Sequence, residues 1–264
     1  MSDAIRDVVV ITGASGGIGA DLARIFAREG HAVALVARNG ERLRQLVREI
    51  AAPGAPEPLV IELDLEPSGS ADALAAALRA ANVRCSILVN NAGYGLAGKV
   101  ASLPRAGQTG IVDLNVRSLT DVTLALLPDI VAARGKILNV ASVAAFFAGP
   151  GMAIYYATKA YVLSFSEALS HELRGHGVTV SALCPGPTTT GFQSRAGLDA
   201  PLFTLMKPMD CRPVAEAGYA GLMAGKRVIV PGLFNKLSAL ISHIVPRSLS
   251  MHAVAWLQDV RRHD

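Results

Sequence analysis

Tyr155 and Lys159 stand four residues apart in a stretch that reads as helix over about residues 153–174. On a helix that spacing puts both side chains on one face, roughly 6 Å apart. A free phenol titrates near pH 10, too high to exchange protons efficiently at neutral pH. Lowering it by about three units takes roughly 4 kcal/mol. A cation at ~4 Å in an effective dielectric of ~20 supplies about that much before desolvation is subtracted. The pair is therefore spaced as an acid–base group and the cation that tunes it. Tyr156 has no such partner, because its i+4 neighbour is Ala160. A second chemical feature lies near the start of the chain, Thr12-Gly13-Ala14-Ser15-Gly16-Gly17-Ile18-Gly19. Glycines between a strand and a helix let the backbone approach a pyrophosphate, whose charge meets the helix N-terminus. The spacing is Gly-x-x-x-Gly-x-Gly, not the Gly-x-Gly-x-x-Gly of many dinucleotide folds. Arg38 follows about twenty residues later, where an acid would hold the ribose of NAD and an Arg accommodates the 2′-phosphate of NADP. NADP(H), preferred over NAD(H), is the expected cofactor.

The elements that must position these groups alternate along the chain. Val8, Val9, Val10 and Ile11 form a continuous β-branched run, as a strand buried on both faces should. Residues 17–28 read as a helix with Ile18, Leu22, Ile25 and Phe26 on one face. Further strands are expected at 33–36, 59–63, 86–89, 137–140, 178–183 and 228–230. Helices are expected at 41–50, 72–81, 107–133, 153–174 and 214–223. About seven strands separated by helices predict a single α/β domain over residues 1–264, a doubly wound, Rossmann-like parallel sheet with helices on both faces. Ligands bind such sheets at the carboxyl ends of the strands.

The glycine turn, Asn90-Asn91-Ala92-Gly93 after strand four, Asn115, Ser142 and Tyr155-x-x-x-Lys159 together resemble the short-chain dehydrogenase/reductase family, the subgroup of about 250 residues. The resemblance covers about residues 8–190. It implies that Tyr155 donates a proton to a carbonyl oxygen or takes one from an alcohol, while Lys159 depresses its pKa and holds the nicotinamide ribose. By the same resemblance Ser142 hydrogen-bonds the substrate oxygen, and Asn115 helps position a water that relays protons to Lys159. Gly13, Ser15, Gly17, Ile18 and Gly19 would hold the cofactor, with Asn91 and Gly93 as the floor of its cleft. Asp64 would lie against the adenine amino group, or serve only as a turn or N-cap residue. The family's NAD-dependent members usually have Asp where Ala37 stands. The backbone near Thr188 would meet the nicotinamide carboxamide, and the Thr190 hydroxyl the phosphates. Pro187 departs from the pattern, since it has no N–H to donate. The implied activity is NADP-dependent interconversion of a carbonyl and an alcohol. The alternatives are a non-catalytic cofactor-binding protein and an epimerase or dehydratase, whose relatives more often carry a longer C-terminal lobe. The segments 146–152 and 191–209 should border the substrate, and their low charge favours a mainly apolar compound. The family commonly pairs through the helices at 107–133 and 153–174, which implies a homodimer or homotetramer.

Composition narrows the rest. Hydrophobic residues make up 51% of the chain, too many for a disordered protein. The formal charge of +4 is carried by residues 226–264, where Lys226, Arg227, Lys236, Arg247, Arg261 and Arg262 face only Asp259 and Asp264. Without a longer basic stripe and interleaved aromatics, a nucleic-acid partner is not expected. The six histidines form no HxxxH or HExxH pattern, so no metal is expected. Cys85, Cys184 and Cys211 are odd in number and lack a CxxC pair, which with no visible secretory signal suggests a cytoplasmic protein. Residues 140–157 are uncharged for the length of a membrane span, but Gly149, Pro150 and Gly151 would break it, so a strand, loop and helix are expected. In the tail, Leu233, Phe234, Leu237, Leu240, Ile241, Ile244 and Val245 recur at helical spacing before Pro246. That face could pack on the sheet or on a second subunit, or lie at an anionic membrane surface as a weak peripheral contact.

Overall fold

The computed structural model describes residues 5–51, 56–189, 196 and 208–259. Its strands are β1 (Arg6–Thr12), β2 (Val33–Ala37), β3 (Leu59–Glu62), β4 (Val83–Asn90), β5 (Lys136–Val140), β6 (Thr179–Leu183) and β7 (Val228–Ile229). They form one sheet of seven in the order β3-β2-β1-β4-β5-β6-β7, every pair parallel. Strand order reverses between β1 and β4, which opens a crevice at their carboxyl ends.

Successive side chains of a strand point to opposite faces, and β1 divides accordingly. Val9 and Ile11 enter one core, and Val8 and Val10 the other. The first core is closed by Leu22 and Phe26 of α1 (Gly17–Arg28), Leu43 and Leu46 of α2 (Gly40–Ile50), and Val214 and Leu222 of α7 (Cys211–Met223). The second is closed by Leu74 and Leu78 of α3 (Ser70–Ala80), Val122, Leu126 and Ile130 of α5 (Leu119–Ala132), and Leu169 of α6 (Ala153–Glu172). Each fully buried Leu or Ile here contributes about 1.5–3 kcal/mol. These helices on both faces hold the crevice walls rigid.

The helix expected over 107–133 is interrupted. Its parts are α4 (Arg105–Val112), a π turn at Asp113–Ser118, and α5. The π turn carries Asn115, which is turned inward onto the backbone of Tyr94. An extra residue in a helical turn re-aims side chains this way, and periodicity alone does not reveal it. The uncharged stretch after β5 is a 3-10 turn (Val143–Phe146), a loop and then α6, and no helix among the described residues is long and apolar enough to cross a membrane. Pro246 does not end the tail's structure. It separates α8 (Leu233–Ile244) from a further helix, α9 (Arg247–Asp259), and its carbonyl accepts from Leu249 and Ser250 as α9 begins.

Candidate active site

Four strand ends meet at the crevice. Thr12, the last residue of β1, is a buried junction: its hydroxyl donates to the Val89 carbonyl at 3.3 Å and accepts from the N–H groups of Asn91 and Ala92 at 2.9 and 3.0 Å. The Asn91 amide answers by donating to the carbonyls of Thr12 and Gly13 at 2.9 and 3.2 Å. β1 and β4 are thereby locked together under the glycine turn. A Cβ at Gly19 would strike the Asn91 amide and lie 2.6 Å from the Gly13 carbonyl. Gly13, at φ +65°, would bring a Cβ within 2.9 Å of the Ala92 backbone. The turn is compressed against the floor of the cleft, leaving its outer side to a ligand.

The cleft has a volume of about 580 Å³, within the range of small-molecule sites. Gly13, Ser15, Gly17, Ile18, Arg38, Asp64, Asn91, Gly93, Ser142, Tyr155, Lys159 and Thr188 all line it. Gly19 and Asn115 stand behind its wall. Thr190 lies outside the described residues, as do most of residues 191–209.

At one end Lys159 is nearly fully buried, and its ammonium donates to the Val140 carbonyl at 2.8 Å. Its Nζ is 5.9 Å from the centre of the Tyr155 ring, the separation expected of an i,i+4 pair. Burial pushes the Lys159 pKa down to about 8. Burial also pushes the Tyr155 phenol up to about 12, against a hydrogen bond with Ser142 that acts to lower it. The largest influence on the phenol is thus loss of water, and the Ser142 hydrogen bond opposes it. Ser142 is extended at the start of the 3-10 turn, where its Oγ accepts from the Ala144 N–H at 3.1 Å. Asn115 holds both backbone groups of Tyr94, at 3.1 and 2.9 Å, and donates to the Thr158 hydroxyl at 3.1 Å. Thr158 in turn donates to the Tyr155 carbonyl at 2.8 Å, so Asn115 is tied to the first turn of α6. A Cβ at Gly93 would sit 2.8 Å from the Asn115 Oδ1. Tyr156 forms a T-shaped pair with Tyr155 and lies against Gly149, where a Cβ would strike its ring.

The other end is open and ionic. Arg38 and Asp64 face each other at 3.8 Å with both side chains about half exposed. Asp64 also accepts from the Glu66 N–H at 3.0 Å, which makes it a turn residue as well as an ion-pair partner. Asn39 caps α2 by accepting from the Arg42 N–H at 2.9 Å. Arg42, in the first turn of α2, lines the cleft as Arg38 does and was not singled out by the sequence. Its place in the first turn of the helix that follows Arg38 was the available signal. Beyond β6, Thr188 bridges to Met209 and its hydroxyl donates to the Gly186 carbonyl at 2.9 Å. Pro187 contributes only its carbonyl, which accepts from the Met209 N–H at 2.9 Å, so its missing N–H costs that bridge nothing.

Residues 7–200 match the family described as short chain dehydrogenase. A sulfoacetaldehyde reductase from Chromohalobacter salexigens is 40% identical over 223 residues, 83% of each chain. A short-chain dehydrogenase from Sphingobium yanoikuyae, solved in complex with NADPH, is 34% identical with a TM-score of 0.80 over 90% of this chain and 93% of that one. Another from Burkholderia phymatum, solved with NAD, is 25% identical with a TM-score of 0.80 over 92% and 95% of the two chains.

Proposed function

Since this chain belongs to the short-chain dehydrogenase family, we propose that it reduces an uncharged, mainly apolar ketone or aldehyde with NADPH in preference to NADH. Membership makes it an NAD(P)-dependent oxidoreductase that interconverts carbonyl and alcohol groups. One observation carries the finer reading: Ser142, Tyr155 and Lys159 meet in the same cleft as a glycine turn with no room for a Cβ. The cramped turn, the helix N-terminus beyond it and Arg38 fit a dinucleotide phosphate. A nicotinamide cofactor held there supplies or accepts the hydride.

The chain supplies position and the proton. Tyr155, protonated at neutral pH, gives its proton to the substrate oxygen. Ser142 donates a hydrogen bond to the same atom, and it gains strength as that oxygen becomes anionic. Lys159 offsets charge left on the phenol, and the Val140 carbonyl fixes where the ammonium points. Asn115 holds the Tyr94 backbone and the start of α6 in register, a positioning role.

Arg38, with Arg42 also lining the cleft, supports the NADP reading, and Asp64 is the acid that competes for Arg38. Among the described residues of the cleft, the cations are Arg38, Arg42 and Lys159. The first two stand at the far end, so the described wall offers no further cation for an anionic substrate. The exposed Leu124 and Tyr161 on α5 and α6 support pairing into a homodimer or homotetramer. The whole chain is read as one oxidoreductase domain, and its three free thiols suit the reducing cytoplasm.

The test is NADPH consumption across ketosteroids, acyl ketones, quinones, small neutral aldehydes and sulfoacetaldehyde. Turnover concentrated in the uncharged apolar compounds is expected. Turnover of the sulfonated aldehyde alone would overturn the substrate class, and turnover of none would overturn the reaction.

A further inference from the structure

α8 and α9 leave a large apolar surface open. On α8, Leu233, Phe234, Leu237, Leu240, Ile241 and Ile244 are all exposed, and at about 3.6 residues per turn they lie on one side of the helix. The opposite side docks on the body of the protein. Asn235 and Ala239 are buried there, and Asn235 donates to the Pro231 carbonyl at 2.7 Å while filling the space over Gly186. α8 also touches the 3-10 turn that follows Ser142. The apolar side therefore faces outward beside the substrate end of the cleft. On α9, Leu249 and Trp256 are exposed as well, at 62% and 67%. An apolar patch on this scale marks an interaction surface.

Charge identifies the occupant. Between Lys226 and Gln258 the chain has no Asp or Glu, and Asp259 closes α9; Arg227 pairs with Glu167 of α6, while Lys236 lies on α8 and Arg247 begins α9. Lys236 falls at the edge of the apolar side of α8, where its stem can lie along that surface with the ammonium outward. A second copy docked face to face would bring Lys236 up against its counterpart, and α8 carries no acid of its own to offset the pair. The exposed apolar residues of α5 and α6 contrast with this, since Asp113, Asp121 and Arg117 are paired on the same stretch. We propose that α8 and α9 together form a docking surface for an anionic lipid bilayer. Phe234, Leu237 and Trp256 enter the headgroup region, and Lys236 and Arg247 meet lipid phosphates. Docking this way turns the cleft towards the bilayer, and the proposal stands independently of which carbonyl compound is reduced.

Trp256 is the chain's one tryptophan, so it reports its own environment. Full-length protein is titrated with phosphatidylglycerol vesicles and with phosphatidylcholine vesicles, following Trp256 emission and co-sedimentation. A blue shift and sedimentation with the anionic vesicles at low salt are expected, with at least tenfold weaker binding in 0.5 M salt or to neutral vesicles. Each basic residue near an anionic surface is worth about fivefold in affinity, so K236E with R247E should weaken binding more than tenfold. F234S with L237S should also remove it while circular dichroism stays unchanged; if that variant misfolds, the charge variant decides. Equal binding to neutral vesicles, or no binding at low salt, overturns the proposal. So does a vesicle-independent, concentration-dependent doubling of mass that F234S with L237S abolishes, which would assign the surface to a second copy.

Discussion

The two ends of the cleft are built on opposite principles. At the Tyr155 end main-chain atoms hold the polar groups, Lys159 by the Val140 carbonyl, Ser142 by the Ala144 N–H and Asn115 by both groups of Tyr94, and Lys159 and Asn115 are buried. At the Arg38 end the partners are side chains, about half exposed and 3.8 Å apart. A charge in a dry, rigid site acts at full strength, whereas an exposed pair is screened and worth at most about 1 kcal/mol. The first end should respond to single atoms in an all-or-none way. The second should respond in degrees, and to salt.

Removal of the Tyr155 hydroxyl puts that contrast under the greatest strain. Tyr155→Phe leaves the ring and the backbone in place and removes only the hydroxyl, so kcat should fall by about 10³-fold or more, within the reach of acid–base catalysis. NADPH affinity, read by fluorescence titration, should change by less than about threefold, since the hydroxyl serves the substrate. Retention of more than about a tenth of kcat on a good substrate would remove Tyr155 from its role. Gly19→Ala comes next. Its new Cβ meets the Gly13 carbonyl, which is backbone and cannot swing aside. Overpacking of this kind costs about 1–3 kcal/mol, so NADPH binding should weaken by roughly 10- to 100-fold with a lowered Tm. Unchanged affinity would mean that the turn has slack and is no cradle.

Much of this was legible from the chain because it depends on short-range spacing. The i,i+4 distance of Tyr155 and Lys159 is a property of any helix, and the alternation of Val8, Val9, Val10 and Ile11 already assigns two cores. The features that escaped are set by contacts distant in sequence. Nothing near Asp113 announces that a π turn will bend Asn115 onto Tyr94, 21 residues away. The pairing of Arg38 with Asp64 depends on β2 and β3 lying side by side. The tail shows the same limit: periodicity gave α8 its apolar face but could not say which way it points, and Pro246 hid α9 by reading as a stop rather than a start.

At the open end, wild type should bind NADPH at least about tenfold more tightly than NADH, a difference of about 1.4 kcal/mol. Arg38→Ala should remove most of that preference and leave NADH within about twofold, since a charge-assisted hydrogen bond contributes about 1.5–3 kcal/mol. The preference should also shrink between 50 and 500 mM salt, whereas kcat at saturating cofactor should not. Equal affinity for the two cofactors in wild type would mean that Arg38 is committed to Asp64 and reads no phosphate.

The smallest effect, a few degrees in Tm, comes from the buried end and has a defined sign. Burial lowers the Lys159 pKa from 10.5 to about 8, so between those values the unfolded chain holds more protons than the folded one. Stability attributable to Lys159 therefore rises as pH rises from about 8 to 10.5. Tyr155 runs the other way: its folded pKa is raised from 10.0 to about 12, so its contribution is complete below pH 10 and is lost as pH climbs through 12. The buried thiol of Cys184, pushed up to about 12, acts in the same direction as Tyr155 and partly masks the lysine. Differences between variants separate them. The Tm of wild type minus that of Lys159→Met should become more positive from pH 8 to 10.5, and the difference against Tyr155→Phe should become more negative only above pH 10. A Lys159→Met difference that stayed flat across that interval would show the ammonium hydrated in solution, and the contrast between a dry end and a wet end would collapse.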